Sequence, residues 1–286
     1  MEEYDWDRLV EQLKRGECTP FLGAGACYTL PTAKVLSREL ANHYGYPFPG
    51  LTNLSRVAQY AAILHDPLTV KKHVCNILAG CEHPNFTDGA EPHALLAKFP
   101  LPVYLTTNYD DFMISALREE RGKNPSTAIY PWYKQFNPIT DLPVIPSGSE
   151  PIVYHLHGRY TEPQSLVLTE EDYLAYLSNL AWDQGTDQGL IPPLILRHFA
   201  ESPLLFIGYS LQDWTFRVLF HGLHLRSPEP ERRRHVSVQL LSPRSKNPDA
   251  LVQAQRYLDR HFEKWKITVF WGKARKFCTE LRRRLR

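Results

Sequence analysis

The chain has 286 residues, enough for one large α/β domain or two small ones around a substantial core. Its 33 Lys and Arg nearly cancel its 31 Asp and Glu, so no global field favours direct nucleic-acid binding or a membrane surface. The five cysteines form no C-x-x-C pair, the N-terminus MEEYDWDRLV lacks the apolar core of a signal peptide, and no apolar stretch approaches the ~20 residues that cross a bilayer, which points to a reduced cytoplasmic protein without a structural zinc site.

In chain order, Tyr4 to Lys14 has helical spacing through Trp6, Leu9, Val10 and Leu13 and stops near Gly16, a C-cap ahead of a first strand at Thr19 to Leu22. The strand runs into the small-residue turn Gly23-Ala24-Gly25-Ala26. Such a turn lets backbone N–H groups approach a phosphate, and it equally suits a ligand-free strand-to-helix turn. Tyr28 stands where a dinucleotide fingerprint would carry its third glycine. Helices follow at Ala33 to Tyr44 and over Leu54 to Gly80, as one or two segments, so the interval from about 45 to 100 reads as a helical insertion after the first strand. His93 to Phe99 is a helix, Val103 to Thr106 a strand, and Asp110 to Arg121 a helix with Asp110 or Asp111 near its N-terminus. Pro125 to Glu150 is irregular and rich in proline and aromatics. There Tyr130 to Tyr133 reads as ordinary packing ahead of a lid or an interface. The strand Ile152 to Leu156 delivers His157 and Gly158.

Thr169 caps a helix whose third position is Asp172 in place of the usual Glu or Gln. Leu204 to Ile207 is a continuous apolar run, as a strand covered on both faces requires, and Gly208-Tyr209-Ser210 turns it into a helix from Asp213 to Leu223. Strands at Val236 to Leu241 and Ile267 to Trp271 flank a helix at Asp249 to Phe262, and Lys273 to Leu285 is the last helix. Arg232 to Arg234 and Arg282 to Arg284 read as solvated surface and helix C-terminus. The pattern predicts one α/β domain over residues 1–286: a Rossmann-like, mostly parallel sheet with helices on both faces. The segments TTNYD at Thr106 to Asp110 and His155-Leu156-His157-Gly158 then meet at the carboxyl edge, where open α/β sheets bind ligands. An amide, a carboxylate and an imidazole there suit chemistry on a nucleotide. His155 and His157 alternate along the strand, so spacing alone does not separate them.

The ordered set GAGA, TTNYD, HLHG and GYS, spanning roughly residues 10 to 225, resembles the sirtuin-like domains of bacterial immune systems, relatives of NAD-dependent deacylases. The resemblance implies a sheet that binds NAD as substrate, with Gly23, Ala24, Gly25 and Ala26 at the pyrophosphate and Thr107 among the binding residues. It implies that Asn108 and Asp110 face the nicotinamide ribose, that His157 is the catalytic base, that Gly208 and Ser210 line the adenosine side, and that Asp213 has a pocket role. Asp110 also fits a plain helix cap.

Two departures separate the chain from the deacylases it resembles. No four-cysteine zinc module is present, and the glycine turn continues as Tyr28-Thr29-Leu30-Pro31-Thr32 in place of Asp-Phe-Arg. Both favour hydrolysis of the nicotinamide–ribose bond with water as acceptor and no metal. The expected role is a regulated NAD-depleting effector in antiphage defence, in a homo-oligomer held inactive until a separate sensor engages it, an ATPase ring or an Argonaute-type protein by analogy. A non-catalytic module that binds NAD or ADP-ribose and a zinc-free deacylase are the alternatives.

Overall fold

The computed structural model describes residues 1–133, 142, 145–183, 189–209, 218, 220, 233–240 and 248–285. Among them, seven strands form one sheet, all in parallel: β1 (Thr19–Leu22), β2 (Val103–Thr106), β3 (Ser126–Ile129), β4 (Ile152–His155), β5 (Leu204–Ile207), β6 (His235–Gln239) and β7 (Ile267–Trp271), in the order β3-β4-β2-β1-β5-β6-β7. The chain builds outward from β1 to β2 and β4, then returns to the other side of β1 with β5. The order therefore reverses between β1 and β5, and a crevice opens beyond their carboxyl ends.

Alternate strand residues feed two cores. Phe21, Leu105, Tyr154 and Phe206 face one side, where Tyr176 and Leu180 of α7 (Glu170–Asp183), Phe199 of α8 (Pro193–Glu201) and Phe262 of α9 (Pro248–Glu263) close over them. Leu22, Tyr104, Val153 and Leu205 face the other, against Leu9 and Leu13 of α1 (Glu3–Lys14), Leu95 of α5 (Pro92–Ala97), Met113 and Leu117 of α6 (Phe112–Glu119), and Phe277 of α10 (Ala274–Arg284). This two-sided burial is why β1, β2 and β5 are apolar without alternation.

A third core unites α2 (Ala33–His43), α3 (Leu54–Leu64) and α4 (Pro67–Ala79) through Leu36, Leu40, Val57, Ala61 and Val74, with Leu166 and Leu168 entering from the segment before α7. This helical cap occupies the predicted insertion but begins earlier, because α2 packs into it, and it excludes α5, which lies under the sheet. Buried Lys71 of α4 pairs with Asp172 at 2.7 Å and stands 5.1 Å from the Trp132 ring, fastening the cap to α7. Asp172 also accepts from the N–H groups of Leu168 and Thr169, and the Thr169 hydroxyl accepts from the Asp172 N–H, so Asp performs the reciprocal role expected at that third position.

The edge strand β3 falls inside the stretch read from sequence as irregular. Its four residues are only half-buried, so they carry neither an apolar run nor a clean alternation. Tyr130 and Trp132 are buried in the first core, and the Trp132 indole donates to the Ser165 carbonyl at 2.8 Å, in keeping with ordinary packing. Helix α8 was not anticipated from sequence, and the expected helix at Asp213 to Leu223 lies outside the described residues apart from isolated positions. Arg282, Arg283 and Arg284 close the last turn of α10, where Arg283 and Arg284 pair with Glu280. Among the described residues no helix is long and apolar enough to cross a membrane.

Candidate active site

The ends of β1 and β5 are locked together by backbone alone. The Gly23 N–H donates to the Ile207 carbonyl at 3.0 Å and the Gly25 N–H to the Gly208 carbonyl at 2.8 Å. Gly208 has φ +75°, and a Cβ there would lie 1.9 Å from the Ala26 nitrogen; one on Gly25 would lie 2.9 Å from the Gly208 Cα. Only glycine fits at 208, and the small residues of the first turn are what permit the two edges to interlock.

The turn after β2 joins the same edge. The Thr107 N–H donates to the Leu22 carbonyl at 3.1 Å, the Thr106 hydroxyl accepts from the Asn108 N–H at 3.0 Å, and the Asn108 side-chain amide donates to the Gly23 carbonyl at 3.2 Å. Asn108 thus ties the TTNYD turn to the glycine turn. Its neighbour Asp110 accepts from the Phe112 N–H through Oδ1 at 2.9 Å, while Oδ2 is buried without a hydrogen-bond partner. Asp110 therefore caps α6 with one oxygen and keeps the other uncommitted. Burial pushes its carboxyl above the usual range, against a lowering by the charge of His93. Asp111 is spent elsewhere, in a two-pronged pair with Arg159.

The segment after β4 supplies the imidazole. The His157 carbonyl accepts from the Val167 N–H at 2.9 Å, and Gly158, at φ +90°, passes so close to the Ser165 carbonyl that a Cβ would sit 2.2 Å from its oxygen. The His157 ring meets Tyr176 and Tyr173 edge-to-face, at centroid distances of 4.9 and 5.8 Å. Its Nε2 is buried and has no hydrogen-bond partner, and burial alone drives its pKa down to about 3. His155 is as deeply buried, and its Nε2 also has no hydrogen-bond partner, but its Nδ1 donates to the Asn108 carbonyl at 3.3 Å and it does not line the cavity; burial lowers its pKa to about 4.

These groups converge on a cavity of about 330 Å³, within the range of small-ligand sites. Of the residues singled out in the sequence, Ala24, Thr107, Asn108, Asp110, His157 and Gly208 line it. Gly23, Gly25 and Ala26 build the turn behind it without lining it, His155 stays beneath, and Ser210 and Asp213 lie outside the described residues. Sequence reasoning missed the opposite wall, made by Leu30, Pro31, Leu36, Leu54 and Leu78 of the cap region with Tyr109, Tyr173 and Tyr209. Tyr109 and Tyr209 sit inside the quoted motifs, whereas the leucines carry helical spacing indistinguishable from core. A second cavity of about 430 Å³ adjoins the first across Ala33, Leu54 and Tyr173. All five cysteines are free thiols, and among the described residues no group of three His, Cys, Asp or Glu side chains is placed to hold a metal ion.

Comparisons with known proteins point to one family. A family model for the SIR2-like domain matches residues 102–270, which contain the turns after β2, β4 and β5. The chain is 31% identical over 210 residues to the "NAD(+) hydrolase ThsA" of Cytobacillus dafuensis, covering 72% of this chain and 37% of that protein. It is 26% identical over 236 residues to the protein of that name from Acinetobacter baumannii, with 80% and 44% covered, and 30% identical over 164 residues to the one from Bacillus cereus, with 57% and 30% covered. The chain thus spans under half the length of these curated relatives. With the family model matched across more than half of its residues and the strand-end motifs in their expected places, the chain belongs to the SIR2-like domain family.

Proposed function

We propose that this chain is an NAD+ glycohydrolase module that cleaves the nicotinamide–ribose bond with water as acceptor. The observation that carries the reading is the buried, unpartnered Nε2 of a histidine that shares one cavity with Asn108 and a half-committed Asp110. The relatives' printed name supports the same activity.

Nicotinamide leaves NAD+ as a neutral molecule from a positively charged ring, so no general acid is required. The site must hold the ribose, stabilise an oxocarbenium-like centre and activate a nucleophile. Burial keeps the His157 imidazole neutral, so it opposes no growing positive charge and its lone pair can accept a hydrogen bond from a ribose hydroxyl or water; to act as a base it needs its pKa raised again by the positioned substrate and the neighbouring Asp110. General-base catalysis of this kind contributes roughly 10²–10⁴-fold. Asn108, fixed by its bond to Gly23, orients ribose or water, and Asp110 offers negative charge and an acceptor to the ribose hydroxyls. The glycine turn is assigned to the pyrophosphate.

On the resemblance to immune domains, the module is a regulated effector of antiphage defence, part of a homo-oligomer in the cytoplasm and released by a separate sensor. The test is nicotinamide release from NAD+ by the purified chain, fractionated by size, beside Asn108→Ala and His157→Ala. Release by the wild type and a loss of at least about 100-fold in each variant is expected. NAD+ binding with no release from any fraction, during infection as well as in vitro, would instead make the chain a binding module.

A further inference from the structure

A further buried histidine, His93, lies outside every motif discussed so far. His93, 1% exposed at the start of α5, has its Nδ1 2.6 Å from Glu91 Oε1, and the other carboxylate oxygen of Glu91 caps the same helix through the Ala94 N–H at 2.6 Å. Glu91 is itself 5% exposed, so both partners are withdrawn from water. A buried carboxylate and a protonated imidazole at this distance share a strong charge-assisted bond, and removing one partner leaves the other buried and uncompensated. The ring's surroundings show where the charge is directed. His93 meets Phe112 edge-to-face, centroids 6.2 Å apart, and the Phe112 N–H is the group that holds Asp110 Oδ1 at 2.9 Å. Helices α5 and α6 thus meet at Phe112, whose ring packs against the His93 ring and whose backbone N–H holds the Asp110 carboxylate.

We propose that His93, held by Glu91 and packed on Phe112, is a positioning residue whose positive charge helps keep Asp110 the carboxylate that the cavity requires. The proposal rests on the hydrolase reading for its catalytic consequence but not for the pairing itself. Asp110 is deeply buried, its Oδ2 has no hydrogen-bond partner, and Asp111 beside it adds a like charge. Without a counter-charge such a group takes up a proton and no longer stabilises a cationic ribose. The other titratable groups facing it are Cys27 of the glycine turn and Tyr160 after β4, neither of which brings positive charge, while Arg159 is occupied by Asp111. Tyr28 and Cys278 face Glu91 from the other side, and the His83 ring reaches the far edge of Phe112. Burial alone would discharge His93; the hydrogen bond and charge of Glu91, with Asp110 adding to them, outweigh it and raise its pKa above the ordinary value. Because burial lowers the pKa values of His157 and His155 to about 3 and 4, an acid limb well above pH 4 is expected to follow Asp110.

Two readouts test this on the full chain. The first is a double-mutant cycle of melting temperature for His93→Gln and Asp110→Asn at pH 7 and in acid, which needs no activity. The pairing predicts a combined effect at pH 7 that departs from the sum of the single effects and becomes additive once Asp110 is protonated; additivity at both pH values overturns the proposal. The second is the pH profile of nicotinamide release. His93→Gln and Glu91→Gln should each move the acid limb upward by about one pH unit or more, whereas a merely structural loss lowers the rate without moving the limb. If His93→Gln does not fold, Glu91→Gln carries both measurements. Coupling at pH 7 together with no nicotinamide release by the wild type, from any fraction in vitro and during infection, would uphold the pairing and sink the hydrolase reading.

Discussion

The two walls of the cavity are built by different physics. The sheet-side wall is a set of backbone edges pressed together so tightly that single methyl groups are forbidden at Gly208 and Gly158. The cap-side wall is Leu30 and Pro31 of the segment before α2 with leucines on helices whose own core is packed by interchangeable aliphatic side chains and pinned to the rest by a buried ion pair. Steric exclusion of a Cβ leaves almost no freedom in residue type, whereas aliphatic packing tolerates many volume-conserving solutions. One wall is therefore specified residue by residue and the other only by pattern.

Substitution of the two walls should separate them sharply. Gly208→Ala places a methyl group against backbone in a left-handed conformation, and we expect the largest effect there: a loss on the order of 4 kcal/mol in unfolding free energy by urea titration, with NAD+ binding abolished in whatever folds. A Gly208→Ala protein as stable as wild type would show that the edges are looser than described. Lys71→Met strands Asp172 without its cation and should cost about 3 kcal/mol, while the sheet-side bonds persist. Its kinetic signature is a raised KM with kcat largely kept, because the variant loosens the cap while leaving Asn108, Asp110 and His157 in place.

Acid should also find the sheet side first. His155 and His157 titrate near pH 4 and 3 when folded but at about 6.5 when unfolded, so the unfolded chain takes up their protons first as the pH falls. The stability they hold is complete above pH 6.5 and is lost progressively toward pH 4, on the order of 2 kcal/mol per histidine by pH 5. His155→Gln should flatten the pH dependence of the melting temperature in that window. An unchanged slope would mean that the ring is hydrated in solution.

What could be read in the sequence follows the same division. The strands β1, β2, β4 and β5 are visible because burial on both faces forces nearly uninterrupted apolar runs, β6 and β7 because of their β-branched and aromatic residues, and the small-residue turns because little larger fits. Alternation could not rank His155 against His157; in the fold one lies under the Asn108 carbonyl and the other against the cavity, a placement that depends on the turn after β2. The cap wall was hidden because Leu36, Leu54 and Leu78 obey helical periodicity whether they face a core or a pocket. Strand β3 was hidden because a half-buried edge of four residues carries too little pattern, and Glu91 with His93 because their meaning depends on the ring of Phe112, which is distant in sequence.

Asp172 has a consequence for how this molecule opens. Its two oxygens serve the Lys71 ammonium and the N–H groups of Leu168 and Thr169, and its chain neighbour Tyr173 meets His157 at the cavity. The cap cannot melt away without abandoning a charge at the start of α7, and α7 cannot fray at that end without releasing the cap. Two elements that a topology diagram shows as independent are bound into one cooperative unit of local unfolding, with the imidazole at the seam between them.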